Sequence, residues 1–233
     1  LLVGFAILVT GLKLTLPLLP QADEGTFVGA AMQIATTGDL NPGFFGHPGA
    51  TTIYPLAAAI RLWIFLFPGQ DFVITAWQAH FFGRLLSVAY TLLAVVVTIR
   101  IGLLVWNLRV ALAACWFIAL SPLVVFYSKL LRTDTAATFW GVLALWLALR
   151  LLERSTLRRQ VAAGAAIGLS IASRYFLAAT GLVLATVDLV LLLRSDKSER
   201  TPRLWWTIIA GLVAVPVFFL IANPAMPVHW QQV

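Results

Sequence analysis

Charged residues are scarce in this 233-residue chain, at 11% against roughly 25% in an ordinary soluble domain, while hydrophobic residues reach 61%. So little polar surface excludes a water-soluble globule and identifies an integral membrane protein. Cysteine is nearly absent. The single Cys115 lies inside an apolar run, which excludes a disulfide framework and a cysteine-rich metal site. Repeats of fixed period, low-complexity tracts and a polar region large enough for a soluble domain are also missing. Acidic residues number nine against sixteen basic ones, a net charge of +7. The basic residues fall in short clusters between apolar stretches, not along one solvated face. That excludes a nucleic-acid surface and marks them as topology signals. The first 12 residues are apolar, with no basic segment and no small-residue cleavage motif, so the N-terminus reads as a membrane span and not as a signal peptide.

What is present is a series of apolar runs, with 15 Phe and 9 Trp to face lipid and interface. Runs long enough to cross, roughly 17–25 residues each, lie near 1–19, 76–99, 110–128, 135–149 and 204–222. Residues 161–193 are apolar except for Arg174 and Asp188. As one helix they would measure about 50 Å against a ~30 Å hydrocarbon core, so two helices turning near Arg174 are predicted. The expected fold is therefore all-α, a polytopic transmembrane bundle of about seven spans and a single module over 1–233.

The stretch 51–67 is shorter, carries Arg61 and is bounded by His47-Pro48-Gly49 and Pro68-Gly69. It either crosses or lies in the interface. The basic loops 150–159 and 194–203 both belong in the cytoplasm by the positive-inside rule, and counting backwards places 100–109 inside and 129–134 outside. With 51–67 interfacial, Asp23 and Glu24 are external and the cytoplasmic loops hold ten Lys and Arg. A crossing at 51–67 reverses the side of the acidic pair, and charge counting alone does not decide. The interfacial alternative brings every unusual polar residue to one face, within or beside a first external loop of about 20–70. That loop contains the turn-rich Gly38-Asp39-Leu40-Asn41-Pro42-Gly43, which cannot be helical throughout.

Four polar groups call for an explanation. Asp23-Glu24 closes the first span. Two adjacent carboxylates at a membrane surface supply a general base or hold a divalent cation; they equally suit a solvated helix N-terminus. Lys129, Arg132 and Asp134 stand between two spans, where an Arg fork suits a phosphate and an interfacial salt bridge with snorkelling bases is the plainer alternative. Arg174-Tyr175 marks the turn between two apolar helices, either a functional site or a snorkelling Arg. His47 precedes Pro48 in the turn-rich loop, as a structural hydrogen-bonding residue or a metal ligand. Asp188 is given no catalytic role.

Taken in order, Asp23-Glu24, Gly38-Asp39-Leu40-Asn41-Pro42, Gly46-His47-Pro48, Leu120-Ser121-Pro122, Tyr127-Ser128 and Arg132-Thr133-Asp134 resemble the GT-C superfamily. The likeness is to protein O-mannosyltransferases, bacterial aminoarabinose transferases and related dolichyl-phosphate-mannose-mannosyltransferase-like proteins. The resemblance implies an inverting glycosyltransferase with a polyprenyl-phosphate sugar as donor, a lipid, glycan or protein acceptor, and no organic cofactor. It places the catalytic Asp at Asp23 with Glu24 beside it, and a second family Asp at Asp134. Lys129, Arg132 and Arg174 then face the donor phosphate, and His47 and Tyr175 flank donor or acceptor. It also implies juxtamembrane helices around His47, and Glu24 and His47 as the ligands of any divalent cation.

The chain departs from the family pattern at Gly49-Ala50, where family members often read Pro-Leu, and at Arg174, where they often carry Lys. The aminoarabinose transferases have a Glu-Lys pair about where His47-Pro48 stands. Family chains are longer, so this one is expected to be an N-terminal portion. A lipid or solute transporter, or a non-catalytic subunit that binds lipid phosphate, remains the competing function class.

Overall fold

The computed structural model describes residues 22–45, 49–67, 76–194 and 202–229. Among these residues the chain forms nine α-helices, one 3₁₀ helix and no strand. In order they are α1 (Ala22–Thr37), α2 (Ala50–Leu66), α3 (Ala76–Val105), α4 (Leu108–Leu120), α5 (Pro122–Ser128), α6 (Thr133–Glu153), α7 (Leu157–Ser173), the 3₁₀ helix (Tyr175–Thr180), α8 (Gly181–Arg194) and α9 (Pro202–Ala222).

Four segments are long and apolar enough to cross a membrane: Trp77–Val105, Thr133–Glu153, Tyr175–Arg194 and Leu204–Ala222. Helices α4 and α5 qualify only as a pair, which makes a fifth. Among the described residues this gives four to five of the about seven predicted spans, in an all-α membrane bundle as expected. The predicted span 1–19 lies outside the described residues, and α7 has only 17 residues, with Arg158 and Arg159 in its first turn. Outward-facing Trp116, Phe117, Trp206, Val213 and Ile221 are exposed, as lipid-solvated helices require.

Local chemistry accounts for the breaks. The predicted single span 110–128 is bent by 62° between α4 and α5. Pro122 opens α5, and its ring forces the preceding Ser121 out of the helical region, to φ −61° and ψ 119°. The predicted loop 100–109 shrinks to Trp106 and Asn107, because Ile101–Val105 continue α3 and the Asn107 side chain caps α4, accepting from the Val110 N–H at 3.1 Å. Between residues 161 and 193 the break falls at Arg174, as the length argument predicts. Helix α1 stops before Gly38, whose φ of +77° suits glycine. From there Asp39 Oδ1 accepts from Asn41 N and Asn41 Oδ1 from Gly43 N, giving a run of Asx turns in place of helix.

Helix α6 packs on α3 through Ala136, Phe139, Tyr90 and Ala94, and on α7 and α8 through Ala144, Ala148, Leu151, Ile167 and Leu184. Helices α7 and α9 meet backbone to backbone. A Cβ at Gly164 would collide with the Gly211 carbonyl oxygen and one at Gly168 with the Val215 carbonyl oxygen. Small residues four apart are how apolar helices associate without a hydrophobic driving force between them. Helices α1 and α2 form a separate pad, with Phe27, Ala31, Ile34, Ile53, Leu56 and Ile60 packed together and reaching Leu131 just before α6. The site described below lies where this pad meets the ends of α6 and α7.

Candidate active site

Asp23 and Glu24 are adjacent on α1, so their side chains leave the helix about 100° apart. They meet opposite surroundings. Glu24 points inward and is fully buried. Arg84 of α3 donates from Nε to Oε1 at 2.9 Å and from Nη2 to Oε2 at 2.7 Å, and the Leu131 N–H donates to Oε1 at 2.8 Å. Arg84 itself is 1% exposed. A bidentate, desolvated pair of this kind is strong while complete and damaging when halved. Asp23 points outward, 57% exposed, with Oδ2 3.2 Å from Arg132 Nη2.

From Asp23 the charges continue in alternation. Arg132 donates from Nε to Asp134 Oδ2 at 3.0 Å. Arg174 places Nη2 2.9 Å from Asp134 Oδ1 and 3.0 Å from Oδ2, and donates from Nε to Thr133 Oγ1 at 3.0 Å. Three backbone features assemble this row. Arg132 is the extended N-cap of α6, Asp134 stands in the first turn of α6, where the helix dipole favours an anion, and Arg174 is extended where α7 stops. The guanidiniums also lie over aromatic rings, Arg132 5.3 Å from the Tyr127 centroid and Arg174 6.0 Å from that of Phe176.

The row closes one end of a cleft of about 430 Å³. Ala94 on α3, Ile118 on α4, and Leu123 and Val124 on α5 supply its apolar wall; Arg132, Asp134 and Arg174 are its charged end, with Thr91, Thr135 and Thr138 between. The bend at Ser121–Pro122 separates α4 from α5 along this wall. An amphiphile with an apolar chain and an anionic head matches such a lining.

The structure brings together Asp23, Arg132, Asp134 and Arg174. It places the other expected residues differently. Glu24, expected beside the reacting groups and as a metal ligand, is instead the buried partner of Arg84, with both oxygens engaged. Lys129 is half-buried at the C-cap of α5 and is not part of the charge row. Tyr175 turns from the cleft toward the first loop, donating from its hydroxyl to the Phe45 carbonyl at 2.9 Å. His47 lies outside the described residues. Among the described residues no three His, Cys, Asp or Glu side chains converge, and Asp23 and Asp134 already face guanidiniums. No step below depends on a divalent cation. Sequence reasoning missed Arg84; the signal was an arginine inside the apolar run 76–99, where an ionisable residue always needs a partner.

One family profile matches residues 72–221, that of dolichyl-phosphate-mannose-protein mannosyltransferase. The matched stretch contains Arg84, Arg132, Asp134 and Arg174 and begins after Asp23 and Glu24. No curated protein matches the chain, and no solved structure does. The matched stretch covers more than half of the chain and coincides with the helices that carry the cleft. The chain therefore belongs to the dolichyl-phosphate-mannose-protein mannosyltransferase family of GT-C membrane glycosyltransferases, which use lipid-linked sugar donors.

Proposed function

We propose that the protein transfers a sugar from a polyprenyl-phosphate donor to an acceptor hydroxyl at the external membrane face, with inversion at the anomeric carbon. The observation that carries this reading is Arg132, Asp134 and Arg174 at the charged end of an apolar-walled cleft, with Asp23 paired to Arg132 beside it. The donor's lipid tail lies along Ile118, Leu123 and Val124. Its phosphate meets Arg132 and Arg174, whose planar forks suit phosphate oxygens and stabilise the charge left on the departing group. Asp134 holds both guanidiniums in place. Asp23, the most exposed member, takes the acceptor's hydroxyl proton as that oxygen bonds to the anomeric carbon and the bond from that carbon to the phosphate oxygen breaks. The products are the glycosylated acceptor, polyprenyl phosphate and protonated Asp23.

Glu24 supports this chemistry indirectly. Its carboxylate joins α1, which carries Asp23, to α3 through Arg84 and to the segment before Arg132 through Leu131. The external location rests on the basic loops: Arg150, Arg154, Arg158 and Arg159 lie at the opposite end of α6 and α7 from the row.

Radiolabelled polyprenyl-phosphate sugars are to be offered to membranes carrying the full-length protein, wild type and Asp23→Asn. Transfer that falls about 10²- to 10⁴-fold in Asp23→Asn, with unchanged insertion and melting, is expected of a lost general base. Equal turnover by the variant would sink the assignment of Asp23, and no transfer from any donor by wild type would sink the enzymatic reading.

A further inference from the structure

Arg174 is held by side chains on α6, yet its own position in the chain is unusual. It is a single extended residue (φ −153°, ψ 127°) between the last turn of α7 and the 3₁₀ helix. Nothing in its own sequence fixes which way such a junction turns.

Both of its neighbours are tied to the same short segment of the first loop. On one side, Ser173 Oγ and Thr51 Oγ1 are 2.6 Å apart and buried. Ser173 already spends its one hydroxyl proton on the Leu169 carbonyl at 2.8 Å, so Thr51 is the donor to Ser173. The Thr51 carbonyl in turn accepts from the Tyr90 hydroxyl at 2.6 Å, which pins the first turn of α2 to α3. On the other side, the Tyr175 hydroxyl donates to the Phe45 carbonyl. Gly49 also passes close to the third anchor. A Cβ at Gly49 would stand 3.1 Å from Thr133 Cγ2, on the same Thr133 whose hydroxyl accepts from Arg174 Nε.

We propose that Thr51 and Tyr175 are positioning residues that seat Arg174, so that two points of the first loop, the Phe45 carbonyl and Thr51 at the start of α2, set the placement of the phosphate-binding guanidinium. The inference rests on the reading of Arg174 as a donor-phosphate ligand. An acceptor or loop movement that displaces Thr51 or Phe45 then reaches the donor through these hydrogen bonds, without touching the donor itself.

The test uses the full-length protein in membranes, with Thr51→Val, Tyr175→Phe, the double variant and Thr51→Ser. Each lost hydrogen bond is expected to lower kcat/KM for the donor about three- to tenfold, with KM raised and kcat lowered, because Arg174 both grips the phosphate and stabilises the charge left on it. Thr51→Ser keeps the hydroxyl and restores the wild-type KM, which a packing defect would not do. In parallel, labelling by phenylglyoxal, a guanidinium reagent, is followed at Arg174 by mass spectrometry with Arg154 as reference. Arg174 is expected to label faster in Thr51→Val and Tyr175→Phe, and at the wild-type rate in Thr51→Ser. Wild-type transfer with donor KM and Arg174 labelling unaltered in both variants overturns the positioning role alone. Absence of transfer in wild type removes the functional reading and leaves the labelling comparison to decide the seating of Arg174.

Discussion

Where α6 begins, arginines reach across the fold for partners, Arg84 to Glu24, 60 residues away, Arg132 to Asp23 on α1, and Arg174 to Asp134, 40 residues away, with Arg132 also holding Asp134 two positions on. Where α6 ends, Arg150 pairs with Glu153 three positions on, and Arg159 reaches the same carboxylate at 3.6 Å and the carbonyls of Arg150 and Arg154 at 2.7 and 3.2 Å. Pairs of the second kind form within the end of α6 or between it and the first turn of the helix that follows. Pairs of the first kind exist only once α1, α3, α6 and α7 are assembled, and one of them is stripped of water. The difference separates charges that depend on the whole fold from charges that serve a helix terminus and topology.

The largest effect is expected from halving the buried pair. Arg84→Met strips the buried Glu24 carboxylate of its counter-ion, a loss of about 3–5 kcal/mol. Little folded protein should be recovered in detergent. The double change Glu24→Gln with Arg84→Met removes both charges while leaving an acceptor for Leu131 N–H, and is expected to regain most of the stability together with measurable transfer. A stable double variant with no transfer at all would return Glu24 to the reacting groups and break the distinction between it and Asp23.

Next comes the middle of the exposed row. Asp134→Asn removes the anion shared by Arg132 and Arg174 but keeps its shape. With the Asp134 carboxyl 37% exposed, the stability change is expected below about 1 kcal/mol. With Arg174 freed from its counter-ion and Arg132 left only with Asp23, the guanidiniums lose register with the donor phosphate, and kcat/KM is expected to fall roughly tenfold, read in the same transfer assay. A large stability loss with normal kinetics in the surviving protein would make this row structural, like the Arg84 pair.

The members of the row were legible because each interrupts apolar text: Asp23, Arg132, Asp134 and Arg174 stand at helix ends, where a charge has no hydrophobic explanation. The turn at Arg174 followed from length alone. Arg84 carried the same signal, but its partner lies 60 residues away on a helix whose orientation no local pattern determines. The separate fates of Asp23 and Glu24 were hidden for a related reason: a rotation of about 100° per residue sends them apart, and which one meets Arg84 depends on how α1 lies against α3. Pro122 was visible as part of a motif, yet the hydropathy of 110–128 is continuous and so read as one straight span. The hydroxyl contacts of Thr51, Ser173 and Tyr175 have no sequence signature, since threonine and serine are ordinary in membrane helices.

The smallest effect is expected at the other end of the bundle, and it sharpens the comparison by being small. Glu153→Gln takes away the carboxylate that Arg150 and Arg159 share, but its side chain is 46% exposed and Arg159 Nη1 still donates to the Arg150 and Arg154 carbonyls that close α6. Helix termination thus keeps its hydrogen bonds when the charge is lost. A screened, local pair of this kind contributes at most about 0.5 kcal/mol. Melting in detergent and donor kinetics are both expected to match wild type. Should Glu153→Gln lower transfer without lowering stability, the charges at the two ends would be coupled along α6, and the separation of site from topology argued from their pairing would fail at its simplest point.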